Sequence, residues 1–434
     1  MDCFNSLDPF EFGGGGGFDP YSIAWDLALD ATTGRFQTSG GAAANADSDP
    51  VGQWQDQSGN ARHVEQATAG NRPLVKLAIQ NALPVIRTDG VDDLLRATFT
   101  VNPVFTRISA IIPSLTGTEG YYSGSTANAG ALYTVNDNKL YSYSGSFGPS
   151  ATTTAVAQIV TELINGSKTK LYINALRRGW GDSGSTAPGG ITLGAFNNDS
   201  VPALCDYCQL FQKDGLLAST SRMRTQAFLN AKWGIGINYS TIKQVFFDGN
   251  SITLGSGLSD PSTQSYPAQV IATLGVSWNG VNIGVSGAET ATLAADADYR
   301  IKEDYDPTFG KNIAVLWEVT NDLHFNQDPA GAYSRYAAWC ADVRASGINV
   351  LAVTCLPRGG EYAGFEADRQ TVNTNIRNNW TTFADRLVDV AGDSRIGDSG
   401  DQNDATYYQG DAIHLNETGA GVVAGLVVTQ IQSL

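Results

Sequence analysis

Four side chains in the C-terminal half have the types and spacing to do chemistry together: Ser251, Asn321, Asp411 and His414. A serine hydroxyl is a poor nucleophile at neutral pH. It needs a base within hydrogen-bond reach, and the base needs a third group that fixes its tautomer. The chain has three histidines, His63, His324 and His414. His414 stands in Asp411-Ala412-Ile413-His414, on a short loop just before the last helix-forming segment. On such a loop both side chains can face one sheet edge, with Asp411 orienting the imidazole. Ser251 stands in Phe247-Asp248-Gly249-Asn250-Ser251-Ile252-Thr253, after the apolar stretch Val245-Phe246-Phe247. A serine just past a buried parallel strand lies where α/β folds put their reactive groups. Asn321-Asp322 follows another apolar stretch, Ile313-Ala314-Val315-Leu316-Trp317, and brings an amide donor. Together these are the parts of a serine acyl-transfer site. Taken singly, each has an ordinary reading. His414 would be a helix-entry histidine, Asn321 and Asp322 turn residues, Asp411 a turn cap.

The order and spacing of these pieces make residues 243–434 resemble the SGNH (GDSL-like) hydrolases. The first block is Gly249-Asn250-Ser251, the second a glycine in Gly284-Val285-Ser286-Gly287, the third Asn321-Asp322 and the last Asp411-x-x-His414. Two positions depart from the family pattern: Asn250 stands where Asp is usual, and Val319 where the third block usually has Gly. The resemblance implies that Ser251 attacks the ester, His414 is the base and Asp411 its partner. It implies an oxyanion hole made by the backbone N–H groups of Ser251 and Gly287 and the side-chain amide of Asn321. Asn250 and Asp248 would brace the serine loop from behind, and Asp322 would be structural. No metal or organic cofactor is required by this chemistry.

The elements that must hold these residues are legible as alternating strands and helices from Gln244 onward. Strands are expected at 244–248, 281–285, 312–317, 348–354 and 387–390. A helix over 331–345 carries Tyr333, Tyr336, Ala337, Cys340 and Val343 on one stripe, another over 364–380 carries Val372, Ile376 and Trp380, and a last, mostly apolar one covers 417–431. Strands alternating with helices give a parallel sheet covered on both faces. By resemblance this is a three-layer flavodoxin-like hydrolase domain, 241–434.

Upstream, the pattern is different. Residues 1–17 end in five glycines, Gly13 to Gly17, and read as a flexible arm. Residues 18–240 are rich in Gly, Ser, Thr and Asn, with short alternating segments such as Ala131–Val135, Lys139–Tyr143, Ile159–Leu163 and Lys170–Ile173. Turn signals such as Asn165-Gly166 separate them, and the pattern implies an antiparallel β-sandwich. A helix at about 220–233, with Met223, Ala227, Phe228 and Ala231 on one face, closes the region. The segments Val51-x-x-Trp54-x-Asp56-x-Ser58-Gly59-Asn60, Arg72-Pro73 and Asp89-Gly90-x-Asp92-Asp93-x-Leu95 resemble the concanavalin A-like (laminin-G-like) jelly-roll modules. Such modules hold glycans in some proteins and serve as scaffold in others.

Composition narrows the partners. The 434 residues carry a formal charge of −16, which argues against a nucleic-acid backbone or an anionic membrane as partner. No apolar run is long enough to span a bilayer. Met1-Asp2-Cys3-Phe4 lacks the basic start and apolar core of a signal peptide, so the compartment stays open, with extracellular and phage-tail sites both admissible. Five cysteines leave at least one unpaired, and Cys205-x-x-Cys208 lacks the further ligands of a zinc site. Within a strand these two side chains point to opposite faces, which disfavours a disulfide between them. Ser251 is not in a Gly-x-Ser-x-Gly elbow, and there is no phosphate loop or dinucleotide fingerprint. The readings that remain are a serine esterase on acyl, notably acetyl, groups of a glycan; a lipase or arylesterase on small hydrophobic esters, with Trp317, Trp278 and Phe325 lining an acyl pocket; and an inactive phage-tail or surface adhesin. Oligomeric state is not legible.

Overall fold

Apolar runs become buried strands throughout the computed structural model, which describes residues 18–434. The glycine-rich arm expected at 1–17 lies outside the described residues, as does Cys3. The chain divides into two units, one ending at Ile237 and the other Asn238–Leu434.

The N-terminal unit is all-β apart from short helical turns and one long helix, with an eight-stranded and a nine-stranded antiparallel sheet. Its core joins Trp54, Tyr121, Leu132 and Ile191 of one sheet to Ile108, Ile159, Tyr207 and Phe211 of the other. Burying aromatic and β-branched residues on facing sheets is what closes such a sandwich. The strand Gln158–Ile164 is buried at every position, because it lies inside its sheet and is covered on both faces. The helix Ser219–Trp233 turns a different face inward from the one expected. It buries Arg222, Thr225, Gln226, Leu229 and Trp233, not Met223 and Ala231. The sheet beneath it is polar: Gln226 donates to the Thr161 hydroxyl at 2.9 Å, and the Arg222 guanidinium lies 4.4 Å over the Tyr172 ring. An apolar stripe is a poor guide where a helix packs on such a surface. Cys205 and Cys208 are both buried, unpaired thiols in the strand Leu204–Asp214.

The C-terminal unit is built on five parallel strands: β1 (Lys243–Gly249), β2 (Trp278–Asn282), β3 (Lys311–Trp317), β4 (Asn349–Val353) and β5 (Arg386–Val388). Their order across the sheet is β2-β1-β3-β4-β5, the flavodoxin-like arrangement. β1, β3 and β4 are almost wholly buried, which explains their continuous apolar sequences. The edge strand β2 starts three residues earlier than its expected position. The extended path runs on beyond it, because the Ile283 and Val285 N–H groups bond the Phe247 and Gly249 carbonyls at 2.9 and 2.8 Å. Helices Pro329–Ala345, Phe365–Asn379 and Glu417–Gln432 occupy the expected segments. In the first of these the buried stripe is Ala332, Tyr336, Trp339, Cys340 and Val343; Tyr333 and Ala337 lie at its margin. The last helix is capped by Asn416, whose side chain accepts from the Gly419 N–H at 3.0 Å, and it buries Ala420, Val423, Val427 and Ile431 on one face.

Chain order reverses at β1: the chain leaves β1 for β2 on one side and then crosses to β3 on the other. The carboxyl ends of β1 and β3 at such a switch point are the place where open α/β sheets bind ligands. Ser251 stands two residues past the end of β1, and Asn321 four past the end of β3.

Candidate active site

Gly249 ends β1 against the end of β3. A Cβ there would stand 2.3 Å from the Trp317 carbonyl oxygen and 2.5 Å from the Thr253 hydroxyl, so only glycine fits. Asn250 then caps the short helix Ser251–Leu254, its side-chain oxygen accepting from the Ile252 N–H at 2.8 Å. Ser251 is the first residue of that helix, where a backbone N–H has no partner within the helix. Its hydroxyl lies 2.8 Å from His414 Nε2, across 163 residues of sequence.

His414 Nδ1 lies 2.6 Å from Asp411 Oδ2. The other Asp411 oxygen accepts from the backbone N–H groups of Ile413 and His414, at 2.9 and 3.0 Å. Partial burial raises the Asp411 carboxyl, but the His414 ring and these two N–H groups outweigh it and hold the carboxyl below its usual range. An ionised carboxylate only accepts, so Nδ1 carries the proton and Nε2 is left to accept from the Ser251 hydroxyl. The turn holding these groups is tight. Ala412 sits at φ +57°, and its carbonyl accepts from the Gly359 N–H at 2.8 Å.

The glycine block divides its work between two residues. Gly284 makes the close approach: a Cβ there would stand 2.4 Å from the Leu254 nitrogen and 2.9 Å from the Asn250 carbonyl. Gly287 sits in open space at φ +73°. The physical reason for glycine at 287 is therefore its backbone conformation, and tight packing applies at 284. Next to it, the Ala288 carbonyl accepts from Asn321 Nδ2 at 2.9 Å, so the Gly287–Ala288 segment and the Asn321 side chain meet directly. Asn321 is nearly buried. Its side-chain oxygen accepts from Arg358 Nη1 at 3.1 Å, which orients the amide.

Other expected residues fall into place as supports. Asp248 is buried in an ion pair with Arg300, and its Oδ1 accepts from the Gly249 N–H. Asp322 is fully buried, accepting from the Thr290 N–H at 2.8 Å and pairing with Arg335 at 2.7 Å. His324 lies 2.8 Å from Glu361, which pairs with Arg358 at 2.7 Å, two contacts from Asn321. His63 belongs to the N-terminal unit, where its Nδ1 accepts from the Asp56 N–H at 3.1 Å. Of the aromatic residues expected around an acyl pocket, Phe325 is largely exposed beside His324. Trp317 is instead core, donating to the Thr354 carbonyl at 2.9 Å and packing on Tyr266. Trp278 pairs with Lys243 at the start of the sheet, the opposite edge from Ser251.

Two residues were missed by sequence reasoning: Glu318 and Arg358. Glu318 is fully buried, and its carboxyl accepts from the Asn250 amide and from the Asn321 N–H, the latter at 2.8 Å. Burial, opposed by these donors, pushes it up to about 8. A lone charge ending the apolar run Ile313–Trp317 was its signal. For Arg358 the signal was its place in a loop at the carboxyl end of β4. Among the described residues, Asp89, Asp92 and Asp93 of the N-terminal unit form an acidic group with metal-ligand spacing. Asp89 Oδ1 accepts from the Val91 N–H at 2.8 Å, which makes this a turn.

Ser251, His414 and Asp411 thus stand in one hydrogen-bond chain, with the Asn321 amide bonded to the segment that holds Gly287. Residues 247–422 match the model of the GDSL-like Lipase/Acylhydrolase family, and the C-terminal unit is a GDSL-like hydrolase domain, an ester hydrolase by class. No curated protein matches the chain. Among solved structures, it is similar to a lipolytic G-D-S-L family protein from Veillonella parvula, at 17% identity over 44% of this chain and 100% of that one, with a TM-score of 0.36. It is also similar to the esterase EstA of Pseudoalteromonas sp. (12%, 44% and 97%, TM-score 0.36). A third is Est24, a carbohydrate acetylesterase from Sinorhizobium meliloti (15%, 44% and 99%, TM-score 0.34).

Proposed function

We propose that the chain is a serine esterase that removes acyl groups, chiefly acetyl, from a glycan through an acyl-enzyme. The observation that carries this reading is the hydrogen-bond chain Ser251–His414–Asp411, at 2.8 and 2.6 Å. Ser251 Oγ adds to the ester carbonyl carbon while His414 Nε2 takes its proton. Asp411, accepting from Nδ1–H, stabilises the imidazolium that forms. The carbonyl oxygen, now negative, receives the N–H groups of Ser251 and Gly287 and the Asn321 amide. The intermediate collapses, the C–O bond to the alcohol breaks, and His414 gives its proton to the leaving oxygen. Water then repeats the cycle in reverse, releasing the acid and restoring Ser251.

In this reading residues 18–240 form a laminin-G-like jelly roll that holds the enzyme on its polymer, and residues 241–434 do the chemistry. Tethering raises the local concentration of ester without adding a catalytic group. A second reading, an esterase for small hydrophobic substrates, is favoured by the exposed Leu254, Val285 and Phe325. Leu254 lies on the Ser251 helix and Val285 two residues before Gly287, so both belong to the proposed acyl site. An inactive adhesin would have no use for an aligned triad. The test has two arms. Fluorophosphonate should label the protein at Ser251, and a protein that resists labelling overturns the enzymatic reading. Acetate release from a panel of O-acetylated polysaccharides should exceed turnover of long-chain nitrophenyl esters; the reverse ranking would support the small-ester reading.

A further inference from the structure

Glu318 joins the two loops that form the proposed site. It follows β3 directly, and its carboxyl oxygens face two donors from different segments: the Asn250 side-chain amide, one residue before Ser251, and the backbone N–H of Asn321 at 2.8 Å. The Asp322 N–H also donates to this carboxyl. Both Glu318 and Asn250 are buried, and the groups that hydrogen-bond this carboxyl are donors. The polarity of Asn250 is fixed as well. Its one acceptor is spent on the Ile252 N–H at 2.8 Å, which leaves only its NH₂ to meet Glu318. An aspartate at 250 would remove the NH₂ donor and bring a second carboxyl against Glu318 in a buried site, an arrangement of high cost. The Asn at 250, a departure from the family pattern, and the Glu at 318 are therefore a matched donor and acceptor.

We propose that Glu318 is a positioning residue of the hydrolytic site, locking the Ser251 loop to the Asn321 loop, with Asn250 as the donor it requires. The proposal rests on the serine-esterase reading given above. Ser251 and Asn321 must hold one carbonyl between them, and a displacement of about 1 Å between such groups costs on the order of 10²-fold in rate. Glu318 itself touches no substrate. Its effect is transmitted through the loop geometry, so it belongs to kcat and not to KM.

The experiment compares the full chain with the variants E318Q, N250D and the double variant N250D/E318Q. Turnover of nitrophenyl acetate is normalised to sites titrated with a fluorophosphonate. The glutamine has one oxygen for two donors, so its NH₂ must oppose either the Asn250 NH₂ or the Asn321 N–H, and the aspartate puts a second carboxyl against that of Glu318, so each single variant breaks the arrangement. The double variant exchanges donor and acceptor, keeps one carboxyl and one amide, and leaves an acceptor for both the Ile252 and the Asn321 N–H. Each single variant is expected to lose about 10- to 100-fold in kcat with KM within about twofold, and the double variant to recover to within a few-fold of the native rate. Native kcat in E318Q, or a double variant whose loss is the product of the two single losses, overturns the proposal. Where a single variant fails to fold, the double variant decides alone: a folded, active double variant supports the pairing, and one that fails alike refutes it. Ser251→Ala, with turnover taken per mole of protein because it has no serine to titrate, separates the two claims. If it hydrolyses the ester as well as the native chain, the esterase reading fails first; if it is inactive while E318Q is normal, only the positioning role fails.

Discussion

Removing the Asn321 amide tests the oxyanion assignment most sharply, because the structure separates its catalytic from its structural contribution. In the resting state Nδ2 donates to the Ala288 carbonyl at 2.9 Å and the side-chain oxygen accepts from Arg358 at 3.1 Å. Asn321→Ala deletes both bonds, about 1 kcal/mol for the neutral one and about 1.5–3 kcal/mol at most for the one from Arg358, which stays paired with Glu361 at 2.7 Å. Against that loss of stability stands a donor that acts on charge developing in the transition state, whose removal typically costs about 2.7–4 kcal/mol, or roughly 10²–10³ in kcat. KM should hardly change, because a neutral ground-state carbonyl gains little from the same donor. Asn321→Asp should be worse than Asn321→Ala, since a carboxylate would repel the oxyanion and bond Arg358 instead. Steady-state kinetics on nitrophenyl acetate, with sites counted by fluorophosphonate, resolves the two parameters. A rise confined to KM would move Asn321 from the oxyanion hole to substrate binding. A kcat loss that merely follows the fraction of labelled sites would reduce its role to folding.

Ser251→Ala and His414→Ala should each lower kcat by roughly 10⁴- to 10⁶-fold with the circular dichroism spectrum unchanged, and near-native turnover in Ser251→Ala would refute the assignment. Gly284→Ala should cost far more activity and thermal stability than Gly287→Ala. Its Cβ would stand 2.4 Å from a backbone nitrogen of the Ser251 helix, whereas at 287 the Cβ meets open space and pays about 1–2 kcal/mol for φ +73°; the opposite ranking in a melting experiment would refute the division of labour. Glu318 sets a pH dependence of stability. Its carboxyl is raised from 4.5 to about 8 in the folded chain, so its contribution is fully present below about 4.5 and is lost as pH rises through about 8. Melting temperatures between about pH 5 and pH 9 should therefore fall more steeply for the native chain than for Glu318→Gln, and parallel curves would count against the shift.

Much of the hydrolase unit was legible because parallel strands buried on both faces are written as unbroken apolar runs, such as Val350–Val353. Edge strand β2 was misplaced because it is only partly buried, and Trp278-Asn279-Gly280 carries no apolar run. The reactive residues could be named because serine, carboxylate and histidine in that order and spacing have few other joint uses. Their supports could not. Glu318 and Asn250 lie 68 residues apart, and nothing local announces that a buried carboxyl meets an amide. The same limit explains the glycines: the resemblance singled out Gly287, and only the neighbouring backbone shows that Gly284 is the tight one and Gly287 the twisted one. In the N-terminal unit, alternation revealed the strands but not the face of the helix Ser219–Trp233, which packs through Gln226 and Arg222 onto Thr161 and Tyr172.

Asp411 offers a test of how the triad sets its proton. Its side chain is 43% exposed while that of His414 is 20% exposed, so water can reach the carboxylate and screens its charge. Orientation and tautomer, more than raw charge, are then what Asp411 supplies. Two substitutions separate these roles. Asp411→Asn keeps one oxygen for the Ile413 and His414 N–H groups, and with it the turn. It also presents an NH₂ to Nδ1, which can meet it only by accepting. The proton then moves to Nε2, and the imidazole can no longer take one from Ser251. A triad locked in that tautomer loses on the order of 10⁴ in kcat. Asp411→Ala forfeits the turn bonds but leaves Nδ1 open to water, which can accept from it and allow the productive tautomer. The asparagine variant should thus be the better ordered and the less active of the two, read as a higher melting temperature beside a lower kcat. An alanine variant slower than the asparagine variant would show that Asp411 works chiefly by holding the loop.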